Sequence, residues 1–67
     1  MSVLKVIEIM ASSEKSWEDA VKNAVKTAGK TLKGIRSVWI QDQSAVVKDH
    51  EIIEFRVTCK ISFEVFE

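Results

Sequence analysis

From Phe55 to Val65 apolar and polar residues alternate without a break. Phe55, Val57, Cys59, Ile61, Phe63 and Val65 fall on one side, and Arg56, Thr58, Lys60, Ser62 and Glu64 on the other. A period of two marks a strand with one buried face and one different face. A preceding strand is expected over roughly Arg36 to Val47, with Val38 and Ile40 on one face and Ser37, Trp39, Gln41 and Gln43 on the other. Residues 36 to 66 thus read as two long strands joined by a polar turn of Lys48, Asp49, His50 and Glu51. Near the N-terminus, Val3 to Met10 reads as a shorter strand interrupted by Lys5 and Glu8, and Ala11 to Lys15 as a polar connector.

Between these strands the period changes. Trp17, Ala20, Val21, Ala24, Val25, Ala28 and Leu32 are spaced by threes and fours, so they form one stripe of a helix from Trp17 to about Leu32. Ser16 is its expected N-cap, accepting from the amide of Asp19, whose carboxylate is expected to reach back as in a capping box. Glu18 and Asp19 put negative charge in the first turn, where the helix dipole favours it. Lys22, Lys26, Lys30 and Lys33 lie on the outer side or near the end, and Gly34 is placed to close the helix in a left-handed conformation. The alanine-rich stripe lets the helix sit close to a sheet. The order strand, helix, strand, strand predicts an α+β fold, β-α-β-β with an antiparallel hairpin.

The lengths do not match. A 16-residue helix spans about 24 Å, and a 14-residue strand about 46 Å. One helix leaves Phe63, Val65 and Phe66 uncovered, and Trp39 lies on the face away from it. Apolar surface of this kind marks an interface or a ligand site.

At 67 residues the chain is one domain, 1–67. Domains of this size are marginal alone and draw on disulfides, metals or oligomerisation. Cys59 is the only cysteine, which excludes an internal disulfide, and no metal-ligand motif is visible. Copies of the chain itself are the expected support. Ten basic and ten acidic residues cancel to a net charge of zero. That argues against a general nucleic-acid binder and suits an assembling protein. No stretch approaches the roughly 20 apolar residues of a membrane span, and Val3 to Met10 is short and charged for a signal peptide. A cytoplasmic location is the expectation.

The runs Lys5-Val6-Ile7-Glu8-Ile9, Ser12-Ser13, Ser16-Trp17-Glu18-Asp19-Ala20-Val21, Lys30-Thr31-Leu32, Ile35-Arg36, Val57-Thr58 and Ser62-Phe63-Glu64-Val65 together resemble the dodecin family. The resemblance covers almost the whole chain in order, and the run from Ser16 to Ala20 is its most specific piece. It implies a three-stranded antiparallel sheet partly wrapped around one helix, assembled as a hollow homododecamer. It also implies flavin binding, often as stacked pairs at subunit interfaces. In the family a tryptophan directly after the position of Arg36 stacks on the isoalloxazine, and a glutamine in the last strand hydrogen-bonds the flavin's polar edge. Here those positions hold Ser37 and Arg56. Serine has no ring, and stacking is worth about 1–3 kcal/mol. Arginine only donates, so it does not copy glutamine's paired donor and acceptor.

Trp39 lies two residues beyond Ser37, on the same face and about 7 Å along the strand, where it offers a shifted platform or packs in an interface. Arg56 suits a phosphate, which favours FMN over riboflavin, or a cation–π pair with Trp39. Ser37, Trp39 and Arg56 are therefore the candidate flavin-site residues. Trp17 reads as core, His50 as a solvated turn residue and Cys59 as an inert buried thiol. Glu14, Glu18 and Asp19 are better explained by capping than by a cation, since no calcium-loop spacing is present. No nucleophile–base set points to an enzyme. Two readings stay open: a flavin store with an altered site, or a dodecameric shell that has lost flavin and binds another ligand, such as a coenzyme or a cation, or is structural.

Overall fold

The computed structural model describes residues 3–65. Strand β1 (Leu4–Ser13) is followed by helix α1 (Trp17–Ala28), strand β2 (Ile35–Lys48) and strand β3 (Glu51–Glu64). The sheet is three-stranded in the order β1-β3-β2, antiparallel throughout. The α+β architecture expected from the two periodicities is present. β3 lies at the centre, and the helix packs on one face. Val57, Cys59 and Ile61 are consequently sealed from solvent, and Val57 and Cys59 meet Ala20 and Ala24 in the core. Alanine on the helix allows this close approach. The opposite face carries Arg56, Thr58, Lys60 and Ser62 of β3, as the alternation requires.

Three boundaries differ from the expectation. β1 continues through Ala11, Ser12 and Ser13, which pair with Val57, Arg56 and Phe55. A long central partner supplies the ladder bonds that local propensity does not. The connector therefore shrinks to Glu14 and Lys15 before Ser16. The helix ends at Ala28, not Leu32, and its C-cap is Gly29 in right-handed geometry, with its N–H bonded to the Val25 carbonyl at 2.9 Å. Gly34 is left-handed (φ 71°), but it turns the chain into β2, where its carbonyl accepts from the Glu64 amide at 2.9 Å. The hairpin turn is two residues, Asp49 and His50, both with positive φ (52° and 67°). Such a turn matches the twist of the flanking strands, so Lys48 and Glu51 belong to the ladder.

β2 also carries a bulge. Ile40 pairs with Cys59 and Asp42 with Thr58, leaving Gln41 without a partner residue. Beyond it the faces exchange relative to simple alternation. Asp42 and Ser44 lie on the face away from the helix, and Gln43, opposite Val57, moves to the helix side. The expected outer row of Ser37, Trp39, Gln41 and Gln43 therefore holds only for Ser37 and Trp39.

The helix start is fixed as expected at Ser16, whose hydroxyl accepts from the Asp19 amide at 3.0 Å. The Asp19 carboxylate does not close the box. It accepts instead from the Ser13 hydroxyl at 2.6 Å and from the Asn23 side-chain amide at 3.4 Å. Trp17 packs edge-on against Phe55 (centroids 4.9 Å apart, planes at 74°), and its indole N–H donates to the Ser44 carbonyl at 2.9 Å. The 12-residue helix spans only about 18 Å. The hairpin therefore overhangs it, and Val47, Ile52 and Ile53 at its tip are exposed. Phe63 is half-buried and Val65 exposed; Phe66 lies outside the described residues.

Candidate functional site

The face of the sheet away from the helix carries the three expected site residues. Ser37, Trp39 and Arg56 all lie on it, opposite Ser62, Lys60 and Ser44 respectively. Ser37 is tied by its hydroxyl to the Ser62 hydroxyl at 2.5 Å. This pair bridges the two strands at the level where a stacking ring is absent, and it satisfies Ser62, which is only 5% exposed. Trp39 is the large ring of this face, 45% exposed, held by strand geometry in the middle of β2 and only half covered by the chain's own residues.

Register separates the parts. Trp39 stands opposite Lys60, four residues of β3 from Arg56, a distance of about 13 Å. That exceeds the roughly 6 Å of a cation–π contact. Arg56 turns to its own strand instead, with Nε 3.5 Å from Glu54 Oε1. It lines a shallow polar cavity of about 320 Å³ with Met10, Ser12 and Glu54. One chain thus brings Ser37 and Trp39 together and leaves Arg56 apart. A ligand that touched both Trp39 and Arg56 of one chain would have to span that distance, as a ring with a phosphate-bearing tail does; a smaller one would draw them from different copies.

The other hollows are apolar and lie on the helix side. One of about 480 Å³ runs between Ile7, Ile9 and Met10 of β1 and Ala24, Ala28 and Leu32. Another of about 280 Å³ separates Trp17 and Val21 from Ile40 and Gln43 of β2. Thr27, Lys30 and Thr31 also line the first, and Glu18 and Lys22 the second. Cys59 is sealed beneath the helix, and burial pushes its thiol pKa up, which keeps it protonated and unreactive. Among the described residues no group of three or more His, Cys, Asp or Glu side chains is placed to hold a metal ion, and no helix is long and apolar enough to cross a membrane.

Two side chains beside Trp39 were not singled out by the sequence pattern. Lys60 was legible as an outer-face residue, but its pairing with Trp39 depends on register. Asp42 reaches this face only because Gln41 bulges. A polar run such as Gln41-Asp42-Gln43-Ser44 carries no apolar residue that would reveal the shift.

Comparison with known proteins agrees with the fold. The dodecin family model matches residues 3–66. The calcium dodecin of Mycobacterium tuberculosis is 35% identical over 65 residues, covering 97% of this chain and 92% of that protein. Its crystal structure, described as that of a calcium-chelating antigen with a novel calcium-binding site, superposes with a TM-score of 0.85 at 34% identity, covering 97% and 93% of the two chains. A variant of Thermus thermophilus dodecin superposes with a TM-score of 0.94 at 24% identity over the whole of both chains. Streptomyces coelicolor dodecin gives 0.94 at 24% identity over 98% of this chain and 94% of that one. The family model and the relative's identity both extend over nearly the full length, and the chain belongs to the dodecin family.

Proposed function

We propose that this chain is the subunit of a hollow homododecamer that stores or sequesters a flavin, FMN in preference to riboflavin, at an altered site built between subunits. The observation that carries this reading is Trp39. It is a large, half-exposed ring on the sheet face away from the helix, one step along that face from Ser37, where family members carry their stacking tryptophan. Arg56, further along the same face, supplies the cation for the phosphate at the end of the flavin's tail.

Binding is expected to be weaker than in a dodecin with tryptophan at the position of Ser37, since one stacking contact of about 1–3 kcal/mol is missing. Titration of FMN and riboflavin, followed by flavin fluorescence and the visible spectrum, tests this. Ser37→Trp combined with Arg56→Gln should tighten both flavins. Tight riboflavin binding by the natural chain, unchanged in Trp39→Ala, would overturn the altered site.

A second reading is favoured by one specific finding, the 35% identity to a protein named calcium dodecin. In it the shell has lost flavin and takes a cation. Calorimetric titration with Ca²⁺ decides between them: heat of calcium binding, together with no flavin bound, selects the cation.

A further inference from the structure

Trp39 has two charged neighbours on its own face. Lys60 stands directly opposite it on β3, and Asp42 is the next residue of β2 on that face, opposite Thr58, because Gln41 is taken up in the bulge. Directly opposed side chains in a sheet have Cβ atoms about 5 Å apart, and diagonal ones about 7–8 Å, within reach of long side chains. Asp42 and Lys60 are such diagonal neighbours. Strand geometry therefore puts both side chains within reach of a flat ring placed on the Trp39 indole. Among the described residues neither takes part in an ion pair. Glu8 is the other charge near Lys60, but it lies opposite on β1, on the far side of β3 from Trp39.

We propose that Asp42 and Lys60 read the edge of a ring stacked on Trp39, and that the ligand they select is a flat heterocycle with an imide edge: a carbonyl, an N–H and a second carbonyl in a row. The pyrimidine end of a flavin has this edge. The imide N–H donates to the Asp42 carboxylate, and an imide carbonyl accepts from the Lys60 ammonium. A carboxylate only accepts and an ammonium only donates, so both are needed. Together they supply the acceptor and donor that a glutamine amide combines in one group, and that Arg56 cannot. This inference rests on the flavin reading above and adds which residues recognise which edge.

Riboflavin and its N3-methyl derivative, which lacks the imide N–H, are the probes. Each is titrated into the assembled natural protein and into Asp42→Ala, Asp42→Asn, Lys60→Met and Trp39→Ala, with light scattering confirming assembly of each. The natural chain should prefer riboflavin by about 10-fold or more, the usual range for a hydrogen bond to a charged group. Asp42→Ala should bring that ratio to about one, and Asp42→Asn, which keeps an acceptor, should recover part of it. Lys60→Met should weaken both flavins alike and leave the ratio standing, and Trp39→Ala should lose both. Equal binding of the two flavins by the natural chain, or a ratio that survives Asp42→Ala, overturns the edge-reading pair while the flavin site on Trp39 stands. Failure of the natural chain to bind either flavin overturns the flavin reading itself, and the pair with it.

Discussion

At the end of β1 the small side chain of Ser13 joins two elements. It is 8% exposed; its hydroxyl donates to Asp19 at 2.6 Å and accepts from the Lys15 amide at 2.9 Å. The strand is thereby fastened to the first turn of the helix, and Asp19 is held away from the role of closing a capping box. Ser13→Ala leaves a backbone amide and a carboxylate short of partners, so a loss of about 1–3 kcal/mol is expected, measured by urea unfolding. Cys59 makes a different residue-scale statement. Burial raises its pKa, so the folded protein holds the thiol proton to higher pH than the unfolded chain. Below the ordinary thiol range both states are protonated and Cys59 contributes no pH dependence. As pH rises through that range the unfolded chain ionises first, and stability should fall. Unfolding curves from neutral to alkaline pH should show this decline, and Cys59→Ala should remove the part due to the thiol.

At the level of elements, the hairpin turn departs from local preference. His50 sits at φ 67°, where an L residue with a Cβ is penalised by about 1–2 kcal/mol. Glycine avoids that penalty but costs about 0.5–1 kcal/mol in chain entropy. His50→Gly is therefore expected to raise stability by roughly 0.5–1 kcal/mol, seen as a higher melting temperature with unchanged assembly size. The bulge at Gln41 is the second informative element. Ile40 and Gln43 face the helix and Asp42 faces away, so removing Gln41 restores plain alternation without moving any neighbour to the other face. Deletion of Gln41 should be tolerated, with the far-ultraviolet spectrum and particle size retained. A deletion variant that fails to assemble would mean that the bulge itself is required for contacts between copies.

On the scale of the whole molecule, the longest extent is 51 Å, while the helix shields only about 18 Å of the sheet. The uncovered strip includes Val47 and Ile52, which are 62% and 56% exposed. Burying apolar surface stabilises by roughly 25 cal/mol per Å², and in the proposed assembly other copies of the chain are what would cover it. A stable monomer at micromolar concentration in light scattering would contradict the proposed dodecamer. Phe63 tests the same point from within. It is half-buried in one chain, between Lys5 of β1 and Ile35 of β2. If copies complete its burial, Phe63→Ala should cost about 3–5 kcal/mol and loosen the assembly. A loss well below that, with particle size unchanged, would place Phe63 at a free surface.

The alternation from Phe55 to Val65 and the helical stripe that begins at Trp17, read to Leu32 and helical as far as Ala28, needed no tertiary information. Both follow from the directions of successive Cβ atoms, and with them came the three strands, the helix, the Ser16 cap and the faces of Ser37 and Trp39. The family was legible too, as a resemblance carried by runs spread from Lys5 to Val65, of which Ser16 to Ala20 is the most specific. What only the folded chain decided lies where apolar residues are sparse. Ala11, Ser12 and Ser13 joined β1 because β3 extends beside them. Lys30 to Lys33 left the helix because the chain turns at Gly29 and again at Gly34 to begin β2. Gln41 to Ser44 settled into a bulged register through pairing with Val57 and the bond from Trp17 to the Ser44 carbonyl. Hydrophobic period specifies a face only where a wrong register would expose apolar surface. In a polar run both registers cost the same locally, and long-range hydrogen bonds choose between them.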